Sequence, residues 1–464
     1  MAGGIVAGLL ARARAAQALF ADADQRRADT AAAAAAWAIL EPARNRRLAE
    51  LAVRDTGFGD VEDKVRKNHR KTLGLLRDLH GAASVGVLRE DPALGLTEIA
   101  RPVGVVAAVT PSTNPAATPA NKVINALKGR NAIVLAPSPK GASTCALLVG
   151  YIRHELEKAS LPADLVQHLP PPGSKEQVAE LMAGADLVVA TGSRANVRAA
   201  YASGTPALGV GAGNVAAIVL PGADPATTAR RIAASKTFDN ATSCSSENAL
   251  VLVGEAAQPV LDALQEEGAV LLDAAQKARL QATLFPAGRL SAECVARPAA
   301  EIAARAGLEG EAFRNARILL VEEEGVGPDF PFSGEKLSPV LTLYQVADFA
   351  AARDLVGRIY DYQGKGHSVG IHGGSADEIR ALAETLPVCR VIVDQVHCVA
   401  VGGAFDNGLP FSLSMGCGTW GGNGFSDNLN YRHFLNVTRI VRPIPERVPR
   451  VEDLLGEYWR EHGK

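Results

Sequence analysis

The chain has 464 residues, enough for two or three domains, and 48 Lys and Arg against 50 Asp and Glu give a net charge of −2. That balance implies no broad basic surface for nucleic acid. The longest apolar run, residues 31–40, is far too short to span a bilayer. The mildly apolar start has no basic segment before it and reads as a helix, not a signal peptide. The six cysteines form no CxxC pair, and the only histidine beside one is His397 next to Cys398. No metal site or disulfide framework is expected, and a reduced, cytoplasmic interior fits best.

Residues 5–80, rich in alanine, arginine and leucine at helical spacing, predict two or three amphipathic helices broken at Gly57 and Gly59. Residues 88–99 alternate loosely around Asp91-Pro92 and Gly95 and predict a hairpin or an extended arm. From Arg101 strands alternate with helices. Strand 103–109 ends in Thr110-Pro111-Ser112-Thr113-Asn114-Pro115, and a helix follows to Leu127. Strand 132–135 leads to Pro137-Ser138-Pro139-Lys140-Gly141, helix 142–158 and strand 164–168. Helix 175–182 precedes strand 186–190 and Thr191-Gly192-Ser193. This order predicts an α/β fold with a parallel, doubly wound sheet, whose polar turns gather at the carboxyl ends of the strands, where ligands bind. Thr191-Gly192-Ser193, opening a helix, suits either a pyrophosphate or an ordinary N-cap. The run Gly209-Val210-Gly211-Ala212-Gly213-Asn214 is followed by a strand, 215–220, and so is not the usual dinucleotide fingerprint.

Helix 224–235 and strand 249–253 flank Lys236-Thr237-Phe238-Asp239-Asn240-Ala241-Thr242-Ser243-Cys244-Ser245-Ser246-Glu247-Asn248, and after Cys244 a second alternating series begins. A cysteine is more often a small buried core residue. Cys244 is flanked instead by hydroxyls, an amide and a carboxylate, in a turn where backbone N–H groups can favour a thiolate, so it is the expected nucleophile. Strands at 316–321, 340–344, 368–372 and 390–394 complete a second α/β domain, with Glu335-Lys336-Leu337-Ser338-Pro339 and Gly364-Lys365-Gly366-His367 in its loops. A glycine- and serine-rich tail, 402–427, ends in a strand-forming arm, 431–441.

Asn114, Thr191-Gly192-Ser193, Cys244 and Glu335-Lys336-Leu337-Ser338-Pro339, in that order, resemble the aldehyde dehydrogenase superfamily and, more closely, its coenzyme A-acylating branch. The resemblance implies two doubly wound α/β domains plus a small arm. Residues 1–236 would form the N-terminal helices and the NAD(P)-binding domain with arm 88–100, residues 237–429 the catalytic domain, and residues 430–464 an oligomerisation arm. It implies that Cys244 attacks the aldehyde, that Asn114 and the Cys244 N–H hold the oxyanion, and that Glu335 bonds the nicotinamide ribose. Thr110, Pro111, Ser138, Lys140, Thr191, Gly192, Ser193 and Gly211 are then expected around NAD or NADP, with coenzyme A as co-substrate and a homodimer or homotetramer as the assembly. His367 matches a histidine of the acylating branch, with a structural role and a part in thiol or cofactor handling both open.

The departures bear on chemistry. Hydrolytic members carry a glutamate as base for the deacylating water, and Val210 aligns with it here; valine takes no proton, so an external thiol is the expected acceptor. Ala136 and Pro139 replace a lysine and a glutamate on the adenine-side ribose, so NADP should be tolerated, with Lys140 or Arg194 as its contact. A cysteine hydrolase, the reading from another class, would need a histidine paired with Cys244. For the aldehyde, Ser243 and Thr242 beside the nucleophile and Arg432 in the tail point to a small polar substrate. In this the chain resembles the branch members that act on sulfoacetaldehyde, against acetaldehyde or propionaldehyde as the generic alternative. Ser243 as a turn cap and Arg432 on a surface arm are the plainer readings.

Overall fold

A computed structural model describes residues 2–464 except Ala212 of the glycine-rich run, with side chains from Gly4 onward. Four helices open the chain: α1 (Ala2–Phe20), α2 (Gln25–Leu40), α3 (Pro42–Thr56) and α4 (Val61–Leu79). Asp24 and Asp60 cap α2 and α4 by accepting from the backbone N–H groups of Arg27 and Asp63, and Gly57 ends α3 with φ 69°. On α4 the spacing of Lys64, Lys67, Lys71, Leu75 and Leu79 puts all five on one face, and all are buried. Three of those five inward residues are therefore lysines.

A small antiparallel sheet joins β1 (Gly86–Asp91), β2 (Leu96–Pro102) and the late strand β15, Leu435–Val441, in the order β1-β2-β15. The predicted arms at 88–99 and 431–441 thus pair with each other, and β15 is exposed along nearly its whole length.

The first parallel sheet has the order β5-β4-β3-β6-β7, from β3 (Val105–Thr110), β4 (Ala132–Pro137), β5 (Val166–His168), β6 (Leu187–Thr191) and β7 (Ala207–Val210). Its crossover helices are α5 (Ala117–Lys128), α6 (Ala142–Lys158), α7 (Lys175–Gly184) and α8 (Arg194–Tyr201). β3 up to its terminal Thr110, and β4 throughout, are apolar because both faces of the sheet are covered, as parallel sheets require. The order reverses between β3 and β6, so the polar turns after these neighbours open a crevice. Buried Lys122 on α5 holds the two strands together there, donating to the carbonyls of Val109 and Val189 at 2.9 and 3.1 Å.

The second sheet has seven parallel strands ordered β10-β11-β12-β9-β8-β13-β14. They are β8 (Val215–Val219), β9 (Glu247–Val253), β10 (Ala269–Leu271), β11 (Ile318–Glu322), β12 (Val340–Val346), β13 (Val369–His372) and β14 (Val391–Val393), with α9 (Pro225–Thr237) joining β8 to β9. Two differences from the expected division follow. Strand β8 is hydrogen-bonded to β9 and β13, so the chain enters the second sheet at Val215 rather than after residue 236. The tail does not stay with that sheet either, since Phe411, Leu429 and Phe434 pack into the core of the first.

The two halves are locked by Asp239, in the turn after α9. It is fully buried; its Oδ1 accepts from the Asp60 N–H at 2.8 Å, and its Oδ2 meets Lys64 at 3.1 Å, Lys67, and the Thr242 hydroxyl at 2.7 Å. Burial opposes its charge, yet Lys67 and Lys64 outweigh that and hold the carboxyl below its ordinary value. Asp239→Ala leaves two lysines buried without their anion and is expected to cost about 3–5 kcal/mol. Urea unfolding measures it, and a loss below about 1 kcal/mol would mean the lysines find other partners. Because the folded-state pKa is depressed, this contribution is complete above the unfolded value of about 4 and fades as pH falls through the folded one.

Candidate active site

A cleft of about 440 Å3 lies where the carboxyl ends of β3, β6 and β7 face the amino ends of β9 and β12. The first sheet contributes Thr110, Pro111, Asn114, Ser138, Thr191, Gly192, Ser193, Val210 and Gly211; the second contributes Thr242, Ser243, Cys244 and Glu335. Residues scattered over more than two hundred positions of sequence thus line one cavity. Ser193 caps α8 by accepting from the Asn196 N–H at 3.3 Å. Gly213 allows the close approach of the two sheets, because a Cβ there would lie 2.0 Å from the Cys244 carbonyl oxygen.

The Asn114 carbonyl oxygen accepts from Lys67 Nζ at 2.8 Å, which leaves its Nδ2 as the group able to donate into the cleft. Cys244 Sγ lies 3.5 Å from His367 Nε2, although His367 itself is fully buried behind the cleft wall. His367 Nδ1 is 2.8 Å from Ser368 Oγ, and Ser368 Oγ is 2.9 Å from His397 Nε2. A hydroxyl that accepts from one ring can donate to the other, which would couple the tautomers of His367 and His397. Arg390 fixes the far side, donating to the His367 and Gly416 carbonyls at 3.3 and 2.9 Å.

The charge state differs from the activated thiolate expected from sequence. Cys244 lies in the turn leading into β9. Burial pushes its thiol up to about 12, and Glu335 and Cys417 add to the rise. Burial also pushes Glu335 up to about 8, against the pull of Arg194 and the Gly213 N–H, and drives His367 down to about 3 with Arg390 assisting. The resting pair is a neutral thiol and a neutral imidazole.

Three polar atoms along the cleft, Thr110 Oγ1, Ser138 Oγ and Glu335 Oε1, are buried with no hydrogen-bond partner. Such orphans suit the hydroxyls and phosphates of a nucleotide. Beyond Ser138 the crevice continues into a groove of about 490 Å3 between α7 and α8 that no carboxylate lines. Among the described residues, no group of three or more His, Cys, Asp or Glu side chains could hold a metal ion.

Residues 6–278 match the aldehyde dehydrogenase family. The chain belongs to that family. It is 63% identical over 459 residues to the sulfoacetaldehyde dehydrogenase (acylating) of Cupriavidus necator, a match covering 99% of this chain and 93% of the relative. It is 39% identical to the sulfoacetaldehyde dehydrogenase (acylating) of Bilophila wadsworthia, covering 97% and 98%. An acetylating aldehyde dehydrogenase from Geobacillus thermoglucosidasius shares the fold with a TM-score of 0.92 at 35% identity, over 97% of this chain and 98% of that one.

Two residues expected in the site of this aldehyde dehydrogenase lie elsewhere. Lys140 is exposed and sits over the Phe58 ring at 5.1 Å, because the short helix at Pro139–Gly141 turns it away from the cleft. Arg432 is exposed over Tyr431 at 5.9 Å and lines a separate cavity beside the antiparallel sheet. Thr242 lines the cleft, but its hydroxyl is committed to Asp239 and Lys67. Arg194, an expected NADP contact, lines a further cavity with Arg198 and Trp420, which meets the cleft at Gly211. Lys67, Ser368, His397 and Arg390 were not anticipated. The signal for Lys67 was present in the spacing of Lys64, Lys67 and Lys71, in phase with the apolar face of α4; the other three are assembled only by the fold.

The protonation state is open to measurement. With the thiol raised to about 12, alkylation of Cys244 by iodoacetamide should climb through pH 9–10 instead of levelling near 8.5. A plateau below pH 8 would mean that Cys244 and His367 form an ion pair in the free protein.

Proposed function

We propose that this protein is a coenzyme A-acylating, nicotinamide-dependent aldehyde dehydrogenase whose substrate is sulfoacetaldehyde. The observation that carries the acylating reading is Val210, which faces the cleft at the end of β7 where a hydrolytic enzyme needs a base. Glu335 is the only carboxylate among the residues lining that cleft. The two acylating relatives support both the reaction and the substrate.

Cys244 is the nucleophile: its sulfur bonds to the aldehyde carbon, the carbonyl electron pair moves to oxygen, and the thiol proton leaves by way of His367 Nε2. Asn114 Nδ2, aimed by Lys67, donates to the new oxyanion, a contribution of about 3–4 kcal/mol for one such donor. Thr110, Ser138, Thr191, Ser193 and Glu335 hold the dinucleotide, which when bound supplies the acceptor for the hydride that leaves the same carbon. The acyl group then sits on Cys244 as a thioester. The coenzyme A sulfur attacks it, the bond to Cys244 breaks, the proton from the coenzyme A thiol restores the Cys244 thiol, and acyl-CoA departs. NADP is accepted, because no carboxylate in the groove between α7 and α8 would repel a 2′-phosphate; Lys175 is the cation lining that groove, in place of Lys140. The antiparallel sheet is the surface through which a homodimer or homotetramer forms.

One specific observation favours a cysteine hydrolase: the pairing of Cys244 with His367, which that reading needed and the sequence did not reveal. It leaves the orphaned Thr110, Ser138 and Glu335 atoms without a purpose.

Absorbance at the reduced-nicotinamide band separates these readings. With sulfoacetaldehyde and without coenzyme A, a burst of about one equivalent per site should be followed by a rate at least about a hundredfold below that with coenzyme A. A steady rate independent of coenzyme A would favour hydrolysis, and no signal at all would remove the dehydrogenase. Cys244→Ala should abolish turnover while nucleotide binding, read by calorimetry, persists. Val210→Glu, supplying a base, should raise the release of free acid without coenzyme A; an unchanged yield in a folded variant counts against the deacylation argument.

A further inference from the structure

Beside the cleft lies a second cavity of about 140 Å3, and Asn114, Ser243, Lys71, Cys398 and Leu413 line both. Ser243 precedes the proposed nucleophile, and Asn114 is the proposed oxyanion donor. An aldehyde bonded to Cys244 with its oxygen on Asn114 therefore has its substituent directed to the shared wall. The small cavity is where a short tail ends.

Its lining is unusual in charge. Arg66, Lys67, Arg70 and Lys71 of α4 all line it, and no carboxylate does. Two of these cations are already paired, Arg66 with Asp63 and Lys67 with Asp239. The other two have no carboxylate partner among the described residues. Arg70 is half-buried, lies over the Phe411 ring at 5.4 Å, and reaches only the Gly403 carbonyl, at 3.3 Å. Lys71 is 7% exposed and donates to the carbonyls of Gly402 and Gly403 at 2.6 and 3.4 Å. Two buried or half-buried cations side by side without an anion carry a desolvation cost that those carbonyls offset only in part. Burial, together with Arg70 and Lys67, drives Lys71 down to about 7, and a bound anion would favour its charged form.

We propose that Arg70 and Lys71 bind the anionic tail of the substrate, the sulfonate of sulfoacetaldehyde, and so set the specificity of this site. The proposal rests on the substrate reading given above, and it assigns to α4 the cation that sequence reasoning placed at Arg432. Guanidinium and ammonium donors suit the three oxygens of a sulfonate, and the guanidinium can engage two of them at once. A neutral alkyl tail in the same place would leave both cations unpaired. Ser243 Oγ, 2.6 Å from Ser245 Oγ, adds a hydroxyl on the path between the reacting carbon and these cations.

The test compares kcat/KM for sulfoacetaldehyde and propionaldehyde in the wild type and in Arg70→Ala. It also measures the inhibition constant of ethanesulfonate, which has the tail without the aldehyde. The wild type should favour sulfoacetaldehyde by at least about tenfold. Arg70→Ala should cut that ratio at least about tenfold, chiefly through KM, and raise the ethanesulfonate constant in step, while Arg70→Lys, which keeps the charge, should recover much of both. Lys71→Met should act in the same direction, but Lys71 also anchors the Gly402 turn, so Arg70 carries the decision. A wild-type ratio near one overturns the sulfoacetaldehyde reading itself. A high wild-type ratio left intact by Arg70→Ala, with unchanged ethanesulfonate inhibition, overturns the anion pocket alone.

Discussion

The geometry around the proposed nucleophile depends on one buried carboxylate. Asp239, Asn240 and Ala241 run through left-handed backbone, with φ of 51°, 50° and 56°, at an estimated cost of about 1–3 kcal/mol each. Asp and Asn tolerate that conformation better than most residues, but Ala241 gains nothing from it locally. The conformation is held because Asp239 is trapped between Lys64, Lys67 and the start of α4, with its own N–H given to Asp63 at 2.7 Å. Gly59 completes the trap, since a Cβ there would lie 1.9 Å from Asp239 Oδ1. The sharp turn brings Cys244 to the amino end of β9. Lys67 also touches Asn114, so a single ammonium sets the nucleophile loop and the oxyanion donor relative to each other.

The same economy recurs around the cleft, where buried lysines neutralise backbone carbonyls at the meeting of the two sheets. Lys122 does so at the ends of β3 and β6. Lys336 does so beside Glu335, donating to the carbonyls of Phe332, Gly334 and Asn248. Lys236 reaches the Glu247 carbonyl at the start of β9. Each ammonium replaces water that the close approach of the sheets excludes, and each is driven well below its ordinary value by that exclusion. These lysines hold the rims, and the loops between them stay free to carry chemistry.

Low polarity also sets the state of the reacting groups. Thiol, carboxyl and imidazole are each shifted toward the uncharged form by the same burial, so the free site stores little charge. The proposed chemistry then begins only when substrate and nucleotide bring charges and hydrogen-bond partners of their own. The cavity beside α4 is the exception: Arg70 and Lys71 line it without a carboxylate partner among the described residues, and there the proposed anion would bind.

Much of this was legible in the chain itself. Strands β3, β4, β6, β8, β9, β12 and β13 follow from apolar runs bounded by Gly, Pro and polar turns, and the strand–helix alternation dictates parallel sheets, because a local hydrophobic period suffices for both. The cluster Thr110, Asn114, Thr191, Cys244 and Glu335 follows from turns at strand ends read with the family resemblance. Tertiary structure alone decided what depends on long-range packing. It moved β8 into the second sheet, returned the tail to the first core, and paired His367 with Cys244 across more than a hundred residues. It turned Lys140 and Arg432 away, since a side chain's position in sequence says nothing of which wall of a cleft it joins. It also placed three lysines of an early helix, legible only as an amphipathic pattern, against the loop of the proposed nucleophile. The physical reason is common to all of these: backbone pattern is local, whereas burial, charge pairing and protonation state are properties of whatever the fold brings near.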